Sequence, residues 1–387
     1  MKKLAITILV SLFFLMGCDK LPQSKIDKQI PITEKTGKYV INPQFDYASD
    51  FSGELALIRI GTWNDGKWGF INKDGKIVIN PQFDYANEFS DGLALIRIGN
   101  SEKGRYGYID TSGKIVVNPQ YSAAGEFGEG MAPVRIGDKN NDKWGYIDKS
   151  GKIVINPQFD NAESFVDGLA SVKLGSKPDG LWGFIDKQGS IVINPQFLTS
   201  KIADFFYPPQ AQFKDGLAPA MINDPKGGKW GFIDKQGKFV INPQFDFADE
   251  FSEGLASVRI GESKNGKYGF IDKSGKIVIN PQFDYVGRFH EGLAEVRIGD
   301  FRTGKIGFIN KNGELVINPQ FSGSGRFSMG LAPVKVGNFD SGKWGYIDKQ
   351  GKLIVNPQFD SASPFIGGLA SVTIGTYPNS KYGFIGR

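Results

Sequence analysis

A pattern of apolar and polar positions recurs along the chain, and its clearest copy spans residues 67–99. Residues 68–72 (WGFIN) alternate in the way expected of a β-strand with two distinct faces. Residues 76–80 (KIVIN) form a second β-prone run, and Gly75 between them supplies the positive φ of a bulged hairpin turn. Residues 93–98 (LALIRI) predict a third strand. Each copy is therefore predicted to contain at least three antiparallel strands.

The segment between the second and third predicted strands is less regular. Pro81 ends the second strand because it cannot donate a ladder hydrogen bond. The following crossing carries two apolar anchors, Phe83 and Phe89, and leaves room for a short fourth strand. When the copies are aligned, four columns of equivalent positions are aromatic in nearly every copy. These are the Trp/Tyr before Gly, the residue after that Gly, and the Phe/Tyr positions equivalent to Phe83 and Phe89. This repetition favours core packing over a carbohydrate-binding platform.

The copies follow one another at a fixed period. The proline of the Asn-Pro-Gln triplet occurs at Pro43, Pro81, Pro119, Pro157, Pro195, Pro243, Pro281, Pro319 and Pro357. Seven of the eight intervals are 38 residues long and one is 48. Such strict repetition predicts an all-β tandem array of about nine 38-residue antiparallel β-meander units, resembling propeller blades, each burying its apolar face on its neighbours.

The array could be open or closed. Nine units exceed the four to eight usual in a propeller, which favours an open β-superhelix or solenoid over a closed ring. The alternative rests on the terminal copies: residues 30–38 have lost the Trp and Gly of the motif, and the last copy (381–387) stops after a single strand. A ring could close if these two incomplete units formed one blade.

The long interval contains a ten-residue insertion within residues 198–214, in the connection before the third predicted strand. The insertion adds surplus apolar side chains that the repeat does not use, namely Phe205, Phe206, Tyr207, Pro208 and Pro209. Aromatic residues on a loop suit contact with a protein partner. The alternative is that the insertion packs over a seam between the units before and after it.

A column of basic residues occurs near the end of the third predicted strand: Arg59, Arg97, Arg135, Lys173, Arg259, Arg297 and Lys335. Acidic residues that recur just before the same strand are candidate ion-pair partners for them: Asp91, Glu129, Asp167, Asp215, Glu253 and Glu291. One hypothesis is an ion-pair row that keeps the array soluble. The other is an anion-binding stripe for an acidic envelope polymer.

The N-terminal residues predict where in the cell the protein is located. Residues 1–17 contain two lysines followed by a twelve-residue apolar run, which is typical of a signal peptide and too short to span a membrane. The run ends in Leu-Met-Gly-Cys18, which resembles a bacterial lipobox. That resemblance implies lipidation of Cys18, with residues 18–29 as a polar tether and 30–387 as the repeat array. We expect a lipid-anchored protein of the bacterial cell envelope, facing the periplasm or the exterior.

Composition excludes several functional classes. One Cys and one His rule out an intrachain disulfide and nearly exclude Cys/His metal sites and His-dependent nucleophilic catalysis. The formal charge of +5 is not clustered in the way that nucleic-acid binding requires. The recurring acidic positions match neither an EF-hand nor the calcium-binding nonapeptide. We therefore expect no enzymatic activity, no cofactor, no metal and no nucleic-acid partner.

The motifs KWGYID, VINPQF and EGLA resemble the bacterial WG β-repeat family, also called KWG repeats, over about residues 30–387. The resemblance implies an envelope or surface interaction protein and brings no catalytic residues. The functional expectation is a membrane-anchored scaffold that contacts an unidentified envelope or surface protein. The alternative is a binder of an anionic cell-wall or surface glycan.

Overall fold

A computed structural model describes residues 36–137, 142–175, 180–197, 212–222 and 228–387. These ranges contain 35 β-strands in nine antiparallel sheets, which form the blades of a closed nine-bladed propeller ring.

Each blade is a meander whose strands pair in chain order. Blade 1 contains β2 (Tyr47–Ser52), β3 (Leu55–Ile60), β4 (Lys67–Asn72) and β5 (Ile77–Phe83). Blade 2 contains β6 (Tyr85–Ser90), β7 (Leu93–Ile98), β8 (Arg105–Ile109) and β9 (Ile115–Tyr121). Blade 3 contains β10 (Ala123–Ala124), β11 (Met131–Ile136), β12 (Lys143–Asp148) and β13 (Ile153–Phe159). Blade 4 contains β14 (Asn161–Ala162), β15 (Ala170–Leu174), β16 (Leu181–Ile185) and β17 (Ile191–Phe197). Blade 5 has three described strands, β18 (Ala218–Ile222), β19 (Lys229–Ile233) and β20 (Phe239–Phe245).

The remaining blades repeat this order. Blade 6 contains β21 (Phe247–Ala248), β22 (Leu255–Ile260), β23 (Lys267–Asp272) and β24 (Ile277–Phe283). Blade 7 contains β25 (Tyr285–Val286), β26 (Leu293–Ile298), β27 (Lys305–Asn310) and β28 (Leu315–Phe321). Blade 8 contains β29 (Gly323–Ser324), β30 (Leu331–Val336), β31 (Lys343–Asp348) and β32 (Leu353–Phe359). Blade 9 contains β33 (Ser361–Ala362), β34 (Leu369–Ile374), β35 (Lys381–Gly386) and, as its fourth strand, β1 (Tyr39–Phe45).

The three predicted strands per unit are confirmed, and the short additional strand is the first strand of every blade except blade 5, where the corresponding residues lie outside the described ranges. It joins the second strand through a two-residue turn, which in blade 2 is Asp91-Gly92 with φ values of 54° and 85°. Positive φ at both positions is the signature of a type I′ hairpin turn. The sequence Asp-Gly or Glu-Gly before the Leu-Ala pair is therefore a hairpin signal.

The expectation of an open array was wrong. β1 pairs with β35 in an antiparallel ladder that places Tyr39 opposite Ile385 and Phe45 opposite Tyr382. Among the described residues, β1 has no third strand of its own to pair with and β35 has no strand following it, so each would otherwise present an unpaired edge. Joining them into blade 9 satisfies both edges, which removes the aggregation-prone ends of an open array.

The core lies between the blades, because both faces of each sheet are covered by a neighbour. In blade 1, Trp68 and Phe70 face blade 2, where the Phe70 ring lies 4.8 Å from that of Phe89. Ile71, on the opposite face, packs in the cluster that contains Phe384 of blade 9. The alternation predicted for residues 68–72 is therefore confirmed, and both faces of that strand are buried.

The glycine of the Trp-Gly motif is required by close packing within the blade. A Cβ atom added to Gly69 would lie 2.5 Å from the carbonyl oxygen of Ile79 and 2.6 Å from the nitrogen of Pro81. The register between the third and fourth strands also shifts at this point, between Trp68 and Phe70. The bulge therefore brings backbone so close to the third strand that only glycine fits.

The meander places its connections on two opposite faces of the ring. Turns between the first and second strands and between the third and fourth strands share one face, which we call the hairpin face. Loops between the second and third strands, such as residues 61–66, lie on the opposite face together with the connections between blades. We call this face the loop face. Within the described ranges, no helix has the length and apolar character needed to cross a membrane.

Candidate functional site

Four loops of the loop face carry an aromatic side chain, and they belong to four consecutive blades. Phe301 lies in blade 7, Phe339 in blade 8, Tyr377 in blade 9 and Trp63 in blade 1. The equivalent loops of the other five blades have only polar, Gly or Pro residues: NSEK, DKNN, SKPD, NDPKG and ESKN. Ring closure places blade 1 directly beside blade 9, which makes the four blades consecutive. We call these four residues the aromatic arc.

Three of the four arc side chains are largely exposed to solvent, and Phe339 is half-buried. Trp63 is 58% exposed, Phe301 53% and Tyr377 65%. The rings of Phe301 and Phe339 are 5.1 Å apart in an edge-to-face arrangement, which joins blades 7 and 8. Trp63 also contacts the buried ring of Trp68 beneath it, at a centroid distance of 6.0 Å. These contacts hold the exposed rings in place without covering them.

Three arc residues rest on cations from the second strands. The guanidinium carbon of Arg59 lies 4.2 Å from the ring centre of Trp63, and that of Arg297 lies 5.0 Å from Phe301. The ammonium of Lys335 is 5.7 Å from the ring of Phe339. Cation–π contact of this kind adds about 0.5–1 kcal/mol at exposed sites and favours a defined ring orientation.

These cations belong to the basic column predicted from the sequence, and the structure places the whole column at the loop-face ends of the second strands. Three members are more than nine-tenths buried: Arg59 (6% exposed), Lys173 (6%) and Arg259 (7%). Where the loop lacks an aromatic, the cation packs on strand residues instead, as Arg259 does 5.7 Å from the ring of Tyr268. Arg59 also donates through Nε to the carbonyl oxygen of Gly61 at 3.2 Å. The column supports the loops from below and does not form a continuous open stripe.

The acidic residues that the sequence suggested as partners of this column pair elsewhere. They lie on the hairpin face, where each contacts a lysine in the third-to-fourth-strand turn of the next blade: Asp91–Lys149 (2.8 Å), Glu129–Lys187 (3.0 Å), Asp167–Lys235 (2.9 Å), Asp215–Lys273 (3.8 Å), Glu253–Lys311 (3.1 Å) and Glu291–Lys349 (3.1 Å). The acidic and basic residues are too far apart to pair, because a whole strand separates them. Asp91 precedes β7 and Arg97 lies near its end, and six residues of extended chain span about 20 Å.

A second set of polar contacts joins neighbouring blades on the loop face. Asp84 accepts from the ammonium of Lys67 in blade 1 at 2.5 Å and from the backbone N–H of Gly99 in blade 2 at 2.7 Å. Hydrogen bonding from Lys67 holds the pKa of Asp84 below its usual value. We call this Lys–Asp–Gly arrangement the loop-face bridge. Its other instances are centred on Asp46, Asp160, Asp246, Asp284 and Asp360.

Sequence reasoning missed the loop-face bridge, although a signal was present. Lys before Trp-Gly and Asp after Pro-Gln-Phe occur together in most copies, 17 residues apart. Where the lysine position is Leu181, the later position is also leucine, Leu198. Paired change at a fixed spacing indicates contact between the two positions.

Several predicted residues lie outside the described ranges. These are Cys18 and the partner-binding residues Phe205, Phe206, Tyr207, Pro208 and Pro209. At the described end of the insertion, Phe213 is buried and its ring lies 5.2 Å from that of Phe184. Nor do the described residues include any group of three or more His, Cys, Asp or Glu side chains placed to share a metal ion.

Comparison with known proteins gives one family match. The family model described as "WG containing repeat" matches nine segments: 34–62, 68–101, 106–139, 144–177, 182–197, 230–263, 268–300, 306–338 and 344–375. No curated protein matches the chain.

One solved structure shows similarity of fold alone, and a second is matched at a lower TM-score. A crystal structure of the eukaryotic initiation factor is 12% identical, with 81% of this chain and 87% of that chain covered and a TM-score of 0.57. The β-propeller domain of the Trilobed protease from Pyrococcus furiosus, described as having an open velcro topology, is 13% identical, with 71% and 99% coverage and a TM-score of 0.38.

Proposed function

Because this chain belongs to the family of proteins built from WG-containing repeats, and because its ring displays the aromatic arc, we propose that it is a protein-interaction scaffold of the bacterial cell envelope. The arc is the observation that supports this function. Five of the nine blades close the equivalent loop with no aromatic side chain, so the fold does not need the four aromatic rings. Their exposure costs hydration free energy that a partner would recover on covering them.

The chemistry of the arc suits a protein partner. Aromatic side chains and arginine are enriched at the centre of protein interfaces, where they supply most of the binding free energy. The arc places exposed rings beside Arg59 and Arg297. Arg59 is buried, but Arg297 is only half-buried, so a partner seated on Phe301 could contact an apolar ring and a cation together. Its position on four consecutive blades offers an extended surface on a rigid ring.

The envelope location rests on the sequence. Residues 1–17 have the pattern of a signal peptide and Cys18 follows a lipobox-like ending, so we propose lipidation at Cys18 and a tether through residue 29. The insertion within 198–214, with Phe205–Pro209 at its centre, is a second proposed contact surface. Replacing Cys18 by serine should move the protein from the membrane to the soluble fraction of lysed cells. Unchanged membrane retention of that variant would contradict the lipid anchor.

Site-specific photo-crosslinking in intact cells tests the arc. A photoreactive benzoylphenylalanine at Phe301 should yield a discrete crosslinked partner after irradiation. The same residue at Ser101, the equivalent position of the blade 2 loop, is the matched control and should yield far less of that product. Replacing Trp63, Phe339 and Tyr377 by serine in the Phe301 crosslinking variant should abolish it. Equal crosslinking at Phe301 and Ser101, or a product that survives the three replacements, would contradict the proposal.

A further inference from the structure

The junction between blades 2 and 3 lacks the loop-face bridge. The lysine position is Arg105 and the aspartate position is Ser122, which is too short to span between the two blades. The next residue is Ala123, where blades 1, 2, 6 and 7 have an aromatic side chain. Two smaller residues therefore replace a carboxylate and a ring at the same junction.

A groove of about 300 Å³ opens where these side chains are missing. Its charged end is lined by Arg105, Gln120, Ser122 and Arg135. The groove continues along β9 to Gly151 and Ile153, at the start of the fourth strand of blade 3. Ile153 is 42% exposed, so this far end offers an apolar wall. A groove with charge at one end and an apolar wall at the other suits a small amphipathic ligand.

The cation and the backbone N–H that a bridge aspartate would engage are available to a ligand at the charged end. Arg105 is exposed and forms no ion pair with any other described residue, and the N–H of Gly137 has no acceptor within the same ranges. Arg135 donates through Nε to Ser122 Oγ at 3.2 Å and pairs with Asp142 at 2.8 Å. Among the described residues, two guanidinium groups and one carboxylate leave a net charge of +1 at this end.

We propose that this groove binds the carboxylate of a small external ligand, in the position that an aspartate side chain occupies in the loop-face bridges. At those junctions a carboxylate accepts from a cation of one blade and from the Gly N–H of the next, and Arg105 and Gly137 present the same pair of donors here. A planar carboxylate can also accept two parallel N–H bonds from Arg105. The net charge of +1 balances one carboxylate and would leave a dianionic phosphate partly uncompensated. The body of the ligand would lie along β9 towards Ile153.

Blade 8 supplies a natural comparison. Ser322 also replaces the bridge aspartate, but its hydroxyl lies 3.2 Å from the carbonyl oxygen of Lys335 and 3.3 Å from that of Asn338. The cation equivalent to Arg105 is Lys305, whose single ammonium cannot donate the two parallel N–H bonds of a guanidinium. Lys335, the counterpart of Arg135, donates to the carbonyl oxygen of Phe339 and lies near that ring. The serine is therefore engaged within the chain in blade 8, and the site with a guanidinium at the bridge position belongs to the junction of blades 2 and 3.

Ligand-observed NMR titration of the full-length protein tests this inference, with N-acetylglycine as the carboxylate probe and inorganic phosphate as the comparison. The wild-type protein should bind N-acetylglycine saturably and more tightly than phosphate. Ser122→Asp would place a carboxylate in the site from within the chain, and Arg105→Gln would remove the exposed cation. Each should weaken binding at least tenfold, with unchanged circular dichroism.

Ser322→Asp, the same change in blade 8, is the matched control and should leave the affinity within twofold of wild type. Absence of saturable binding, tighter binding of phosphate, or equal effects of the two serine substitutions would overturn the proposal. This groove is separate from the aromatic arc, which spans blades 7 to 1. Its failure would therefore leave the scaffold function untouched, and the reverse holds as well.

Discussion

The ammonium of Lys381 lies 2.5 Å from a carboxylate oxygen of Asp46, a residue 335 positions earlier in the chain. Lys67 and Asp84 form the same contact across 17 positions between blades 1 and 2. The junction that closes the ring therefore uses the same bridge as five of the junctions within it, namely those of blades 1 and 2, 3 and 4, 5 and 6, 6 and 7, and 8 and 9. The contact at the closing junction uses residue types that the repeat already supplies.

Chemical crosslinking across this junction distinguishes a ring from an open array. In a Cys18→Ser background, the pair Asp46→Cys and Lys381→Cys should react with a short bismaleimide to give an internal crosslink, seen as a mobility shift on denaturing gels. The pair Asp84→Cys and Lys381→Cys is the control, because Asp84 belongs to a different junction. Equal crosslinking of both pairs would show that the ring does not close as described.

The close approach at the Trp-Gly glycine predicts an unequal pair of substitutions. Gly69→Ala should lower the free energy of unfolding by about 2–4 kcal/mol, because the new methyl group meets backbone atoms that cannot move independently. At Gly92 an added Cβ would meet nothing within 4 Å, and only its φ of +85° opposes alanine. Gly92→Ala should therefore cost about 1 kcal/mol. Thermal denaturation measures both, and equal losses would argue against the steric explanation.

Two phenylalanines of blade 7 separate packing from recognition. Phe308 is 1% exposed and its ring lies 5.0 Å from that of Phe327 in blade 8, so Phe308→Ala should cost about 3–5 kcal/mol of stability. Phe301 is in the aromatic arc and 53% exposed, so Phe301→Ala should cost less than about 1 kcal/mol. Denaturant titration compares them. A large loss for Phe301→Ala would mean that the arc is structural.

Glu163, in blade 4, should make stability depend on pH. Burial raises the pKa of its carboxyl group from 4.5 to about 7. Below pH 4.5 the group is protonated in both the folded and the unfolded chain. As the pH rises from 4.5 to 7 the unfolded chain ionises first, so the free energy of unfolding falls across this window and stays lower above it.

Glu163→Gln should remove that loss, with a stability gain of up to about 3 kcal/mol at pH 8 and none near pH 4. The gain is measured as the difference in melting temperature from wild type at the two pH values. Glu54→Gln is the control for lost charge, since the Glu54 side chain is 82% exposed. A gain that is the same at both pH values would contradict the assignment to ionisation of Glu163.

The repeat unit could be predicted from the sequence, and the relations between distant units could not. Alternation and turn residues around Trp68 and Gly75 define local strands, and the aromatic columns define the core. Closure depends on the small rotation between successive blades, summed nine times, which no single copy encodes. The acidic column was paired wrongly because periodicity shows that Asp91 and Arg97 recur together, while strand direction decides that they lie on opposite faces.

The aromatic arc likewise could not be predicted from the sequence. Trp63 and Tyr377 are 314 residues apart in sequence and become near neighbours only when the ring closes. The groove at blades 2 and 3 was more accessible to sequence reasoning, because Ser122 and Ala123 depart from their columns. Such departures become meaningful once the structure shows what the usual residue does.

The pairing of β1 with β35 also fixes an order of events during synthesis. At about 5–20 residues per second, roughly 17–70 s pass between translation of β1 and translation of its partner. Throughout that interval the earliest strand of the propeller has a free edge, and a neighbouring copy on the same messenger could supply the missing strand. The seam of the ring is therefore the place where a strand of a second copy could pair with β1, in the manner of a domain-swapped dimer.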